Sequence, residues 1–230
     1  MAKIQFGAVA TDARGKIAGI VYSKNKAGGY VRAKVSPSQT ESARRTFVRS
    51  LFSVNAQNWS TGLSIAQVNA WNEFARGHLV TDVFGAAHAL SGMQMYQRLN
   101  SVIAQAGGTV IEDPPDDLSI TALLTMTPTV TADAPDVVSI VFTPSPPEAS
   151  HKIAVYATKP LSIGKTFAKS DKRFVFLSAA AAASPAVVSA AYLAKFGALT
   201  AGLKVGIWIQ KINILTGAQT LPLYQLVTVG

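Results

Sequence analysis

Two adjacent prolines, Pro114 and Pro115, stand inside the acidic run Glu112-Asp113-Pro114-Pro115-Asp116-Asp117 and constrain this chain more than any other feature. Each proline fixes its own φ, removes a backbone N–H and holds the residue before it extended, so neither a helix nor a central strand passes through. The hydrophobic period changes across the break. Upstream, apolar residues recur at spacings of three and four; downstream, short β-prone runs alternate with Pro, Gly and Asp clusters. In 230 residues, 49% hydrophobic and 14% charged, this predicts two domains, 1–108 and 119–230, joined by a Pro/Asp-rich linker over 109–118. The expected class is α+β.

The first 35 residues alternate β-prone runs with glycine. Ile17–Ser23 and Tyr30–Val35 flank Lys24-Asn25-Lys26-Ala27-Gly28-Gly29, whose Asn and Gly suit a turn, so a β-hairpin with a basic tip is expected. Strand alternation places Arg32 and Lys34 on one face of it. Such a hairpin is marginal alone in water and needs a surface to lie against. Three helices should follow, each opened by a capping-box pattern: Ser38-Gln39-Thr40-Glu41, Ser64-Ile65-Ala66-Gln67 and Ser91-Gly92-Met93-Gln94. Their expected apolar stripes are Ala43, Phe47, Leu51, Val54 and Asn58 or Trp59; Ile65, Val68, Trp71 and Phe74 or Ala75; and Tyr96, Leu99 and Ile103 before the Gly107-Gly108 stop. Trp59, Trp71, Phe74 and Tyr96 are read as core.

Beyond the linker, candidate strands are 119–131, 137–143, 152–157, 173–177, 203–215 and 221–229, with Thr216-Gly217-Ala218-Gln219 as the last hairpin turn. A helix intrudes, capped by Ser184 with Pro185 at its first position, carrying Val188, Tyr192 and Phe196 before Gly197. Six short strands at this spacing predict an immunoglobulin- or fibronectin-like β-sandwich with the helix in one crossing connection.

Charge is unevenly placed. Residues 1–110 hold 12 of the 21 basic and 4 of the 12 acidic residues, and ten of those cations lie between Lys3 and Arg49, where Asp12 and Glu41 are the only acids. A one-signed field over so short a stretch attracts polyanions or an acidic protein surface. Lys24, Lys26, Arg32, Lys34, Arg44, Arg45 and Arg49 are therefore the candidate contacts for an anionic or assembly partner.

Catalytic patterns are sparse. With no cysteine, disulfides, thiolate chemistry and Cys-based zinc sites are excluded. Gly164-Lys165-Thr166 imitates the end of a phosphate-binding loop, but Lys159 stands where that loop needs glycine. His78, His88 and His151 lie far apart, no carboxylate pair is evident, and the acidic run lacks the Gly-turned spacing of a Ca²⁺ loop. Neither a cofactor, a metal nor an enzymatic activity is expected. No apolar run reaches the roughly 20 residues of a membrane span. The first six residues lack the apolar core of a signal peptide, so the chain is expected to stay in the cell that makes it.

The stretch Asp12–Lys26 with Gly29–Pro37, the Trp59 and Ala70-Trp71-Asn72 pair, Thr81–Gly85, Leu90-Ser91-Gly92 and the closing Leu199–Leu215 segment together resemble a family of structural proteins of tailed bacteriophages and prophages. Fibronectin modules often place an aromatic residue in the penultimate strand, and this chain has Trp208 there. The resemblance implies a virion component without catalytic signature and does not say which one; the favoured expectation is a capsid auxiliary or decoration subunit, with a tail location as the alternative. Its implied partners are other copies of itself and other virion proteins. Nucleic acid, gripped by the basic half, is the second choice, and no membrane is involved.

Overall fold

Glycine-punctuated β-prone runs at the start of the chain form four short antiparallel strands, β1 (Ala2–Ile4), β2 (Gly15–Ile17), β3 (Ile20–Asn25) and β4 (Gly28–Ala33), in the order β1-β4-β3-β2. The computed structural model describes residues 2–4, 12–26, 28–35, 42–81, 84–145 and 147–230. The expected hairpin is present as β3 and β4, but it is half of a four-stranded sheet. Ala18, at a positive φ of 47°, and Gly19 turn the chain inside the expected strand 17–23, so Ile17 pairs with Ile20 across a tight turn. Lys34 N–H donates to the Gly19 carbonyl just beyond that turn.

Helix α1 (Ala43–Gln57) starts at Ser42, whose hydroxyl accepts from Arg45 N–H; the expected cap at Ser38 lies outside the described residues. The stripe is also displaced: Phe47 and Val54 are exposed, and Asn55 is the buried side chain of the helix. Val48, Leu51 and Phe52 give α1 apolar residues on several sides, so periodicity alone does not select its inner face. A wide π-helical turn, Asn58–Gly62, follows. Helix α2 (Ile65–Gly77) has the expected reciprocal box, with Gln67 N–H donating to Ser64 Oγ and Ser64 N–H to Gln67 Oε1. Trp71 and Ala75 are fully buried, and the Trp71 and Phe74 rings meet edge to face at 5.9 Å. Ile65, expected beside them, is 81% exposed. Two successive steps of three residues leave it about 120° around the helix from Trp71. A small ribbon, β5 (Leu79–Thr81) with β6 (Ala87–Ala89), is an addition for which no expectation was formed.

Helix α3 (Gly92–Gln105) repeats the box at Ser91 and Gln94. Gly92 sits against α2 so closely that a Cβ there would lie 2.5 Å from Asn72 Oδ1, and its N–H donates to that oxygen. At the other end Gly107, at φ +73°, and Gly108 donate to Ala104 and Ile103 carbonyls, a Schellman stop.

The chain forms two compact units, 1–95 and 96–230, dividing within α3 rather than at 109–118. The later part of α3 belongs with the β-rich unit because Val102 and Ala106 pack on Ala154 and Ile212. The Asn100 carboxamide also clamps Ile111, donating to its carbonyl at 3.0 Å and accepting from its N–H at 2.9 Å. Residues just before the double proline are thus fastened to α3.

In the second unit β7 (Thr125–Thr131), β8 (Val137–Thr143) and the two-residue β11 (Ala186–Val187) make one antiparallel sheet, ordered β11-β8-β7. The other is ordered β10-β9-β12-β13, from β9 (His151–Ala157), β10 (Arg173–Leu177), β12 (Lys204–Asn213) and β13 (Leu223–Thr228). Alternate residues Val138, Ile140 and Phe142 meet Ile153, Val155, Val205, Ile207 and Ile209 in one core. Helix α4 (Ser189–Phe196) closes that core with Tyr192, fully buried, whose hydroxyl donates to the Thr158 carbonyl at 3.0 Å. Ser184 does not cap α4: its hydroxyl accepts from Phe142 N–H, and Ala186–Val187 pairs with β8 before the helix begins. The fold is thus mixed α+β, with four α-helices and several antiparallel sheets among the described residues.

The turn 213–219 packs on α3. Gly217 has φ +73°, and a Cβ there would sit 2.6 Å from the Leu99 carbonyl oxygen. Gly217→Ala is expected to cost more than about 1 kcal/mol from the conformation alone, with the clash added. A lowered urea midpoint for the second unit is the readout.

Candidate assembly surface

Strand pairing sorts the first sheet into two chemically different faces, since directly opposed residues and residues two apart share a side. Lys16, Val21 and Arg32 form one row across β2, β3 and β4, and Ser23, Tyr30 and Lys3 the next. The opposite face carries Ile17 and Ile20, then Tyr22 and Val31, then Lys24 beside Gly29 and Ile4. One side is cationic and the other apolar. No described side chain in this sheet is buried; Ile17 is 69% and Ile20 43% exposed. Among the described residues none of its strands packs broadly on a helix.

Of the candidate contacts, Arg32 lies on the cationic face and Lys24 on the apolar one, while Lys26 is at the hairpin tip and Lys34 just past β4. Arg44, Arg45 and Arg49 are exposed on the first two turns of α1. The first turn of α1 contains no acid, and its two arginines lie at the positive end of the helix dipole. The Arg44 guanidinium lies 5.6 Å from the Phe47 ring centroid. The sequence reading missed Lys16, because the strand it sits on is recognisable only by pairing with β3.

The second unit holds two further polar constellations. Lys211 is fully buried on the core side of β12, and its ammonium donates to Glu148 Oε2 at 2.9 Å; His151 Nδ1 lies 3.1 Å from the same oxygen. Hydrogen bonding from Lys211 and from its own backbone holds the Glu148 carboxyl down at about 2. Burial pushes His151 below its ordinary value, against the pull of Glu148. His151 Nε2 is buried and has no hydrogen-bond partner among the described residues. Lys211 is sealed from solvent and His151 nearly so, while the Glu148 carboxylate that joins them is half exposed. On the outer side of the same sheet, Phe174, Tyr156, Trp208 and Tyr224 stand in one row across all four strands. Lys172 sits 4.2 Å above the Tyr156 ring, and its pKa is lowered by burial and then by Lys169. A cavity of about 220 Å³ beside α3 is lined by Arg98, Val102, Leu118 and the turn at Gly217, and Arg98 is its one ionisable group. Among the described residues no three His, Asp or Glu side chains are grouped to hold a metal ion, and no helix is long and apolar enough to cross a membrane.

No protein-family model matches this chain, and neither a curated protein nor a solved structure matches it.

Proposed function

We propose that this protein is a bacteriophage virion structural protein, a capsid decoration subunit that assembles non-covalently through its basic N-terminal segment. The observation that carries the assembly part is the first sheet, whose four strands bury no described side chain and gather Lys3, Lys16 and Arg32 on one face and most of the large apolar residues on the other. A sheet of that kind gains its stability from what covers it. The virion assignment rests on the sequence resemblance, and the strand distribution of the second unit supports the sandwich reading. Its first, second and fifth strands share one sheet, and its third, sixth and seventh lie side by side in the other. This is the distribution of A, B, E and C, F, G in immunoglobulin-like domains, with the fourth strand on the C, F, G side. The helix lies in the connection between the fifth and sixth strands.

Reversing Arg32 and Lys34 to Glu is expected to lower incorporation into particles by about tenfold or more, because a like-charged contact replaces an attractive one. Imaging of the wild-type particle should place the subunit on the head; density on the tail would move it there. The rival reading, a nucleic-acid-binding protein using the same cations, is favoured by the ten cations between Lys3 and Arg49. It predicts unchanged incorporation together with DNA binding that falls steeply with salt.

A further inference from the structure

The cationic face of the first sheet and the acidic run around Pro114 are complementary in charge. Lys16 and Arg32 are two strands apart in one row, about 10 Å from each other. The chain bends at Glu112, Asp113 and Asp116, with Pro114 and Pro115 between the two aspartates, and each proline fixes its own φ. Glu112, Asp113, Asp116 and Asp117 are all exposed, and these four make up a third of the chain's 12 acids within six residues. Lys16 and Arg32 are exposed as well.

We propose that the cationic face of the sheet in one copy receives the Asp113–Asp116 segment of a second copy, with Lys16 and Arg32 facing Asp113 and Asp116. This identifies the partner for the assembly reading given above and rests on it. The contact is heterologous: each copy offers a donor face and an acceptor segment in different places, so it propagates into a ring or a lattice rather than ending at a dimer. A stiff proline-held segment loses little conformational freedom on docking, which favours it over a flexible acidic loop. The apolar face behind the cations stays available for other contacts of the particle.

The test uses the full-length chain in sedimentation experiments across protein and salt concentration. Wild type should self-associate, more weakly as salt rises from about 0.05 to about 0.5 M. Lys16→Glu with Arg32→Glu, and separately Asp113→Lys with Asp116→Lys, should each weaken association by about tenfold or more. All four substitutions together should restore it, and that rescue is not produced by loss of folding. Carbodiimide treatment of mixed ¹⁴N and ¹⁵N protein should join Lys16 of one isotope to Asp113 or Asp116 of the other. Cross-links confined to single copies, a monomeric wild type, or charge reversal without rescue would each overturn the proposal. If reversing Asp113 and Asp116 leaves association intact while reversing Arg32 and Lys34 still blocks incorporation, the partner is a different virion protein and only this inference falls.

Discussion

Glu148→Ala is expected to destabilise the second unit by about 3 kcal/mol, the low end of the range for stranding a buried charge. Lys211 lies on the core side of β12 with no solvent exposure, and Glu148 Oε2, 2.9 Å away, is the acceptor that balances its ammonium. The low end applies because Glu148 is 50% exposed, so water entering the vacated space takes over part of its role. Lys211→Met should be close to neutral or mildly stabilising, since it removes the charge together with the need for a partner. Urea denaturation of both variants checks the pair. A cost below about 1 kcal/mol for Glu148→Ala would mean that the ammonium reaches another acceptor, and the pair would then rank with ordinary surface ion pairs.

The same cluster makes stability pH-dependent in one direction. Glu148 titrates at about 2 in the folded chain against 4.5 as its ordinary value, so its contribution is complete above the ordinary value and is lost as pH falls toward 2. His151 is lowered from 6.5 chiefly by burial, so below that pH the unfolded chain takes up a proton that the folded chain refuses. Both effects weaken the fold on acidification. His151→Gln should flatten the pH dependence near neutrality and leave the loss at lower pH, where Glu148 acts. A stability profile unchanged from wild type between about pH 7 and 5 would remove His151 from this account.

Trp71→Ala is expected to cost about 3–5 kcal/mol, the usual consequence of deleting a fully buried large aromatic. The first unit has few alternatives to this anchor among its described residues: its sheet buries no side chain, α1 buries Asn55, α2 buries Trp71 and Ala75, and the start of α3 adds Met95. Loss of helical signal at a lower temperature, with the second unit's transition unchanged, is the expected thermal profile. Ile65→Ala, by contrast, should change stability by less than about 0.5 kcal/mol, because that side chain is already in water. A Trp71 variant as stable as wild type yet unable to assemble would make the indole an interface anchor instead.

Local chemistry wrote much of this structure into the sequence. The boxes at Ser64 and Ser91 and the stop at Gly107 depend on groups within a few residues of one another, so they form as read. The strands of the second unit fall close to the predicted runs for a similar reason: alternation marks a face wherever that face is buried, as in Val138, Ile140 and Phe142. Lys211 left a trace too. It occupies the inward phase of Val205, Ile207 and Ile209, and a cation in that phase demands an acceptor, but nothing local says that Glu148, 63 residues earlier, supplies it.

What tertiary structure alone decided is which of several possible faces and partners prevailed. In α1 apolar residues lie on several sides, and packing chose Asn55 over Phe47 and Val54. At Ala186 the chain had a plausible helix start, and pairing with β8 took the residues for a sheet instead. The candidate surface divides in the same way. The sequence by itself determined that the N-terminal segment is basic and β-prone, because charge and propensity belong to the residues. Only strand pairing decided that Lys16 joins Arg32 on one face while Lys24 turns to the other, because a side chain's face follows from register, and register is fixed between strands rather than within one.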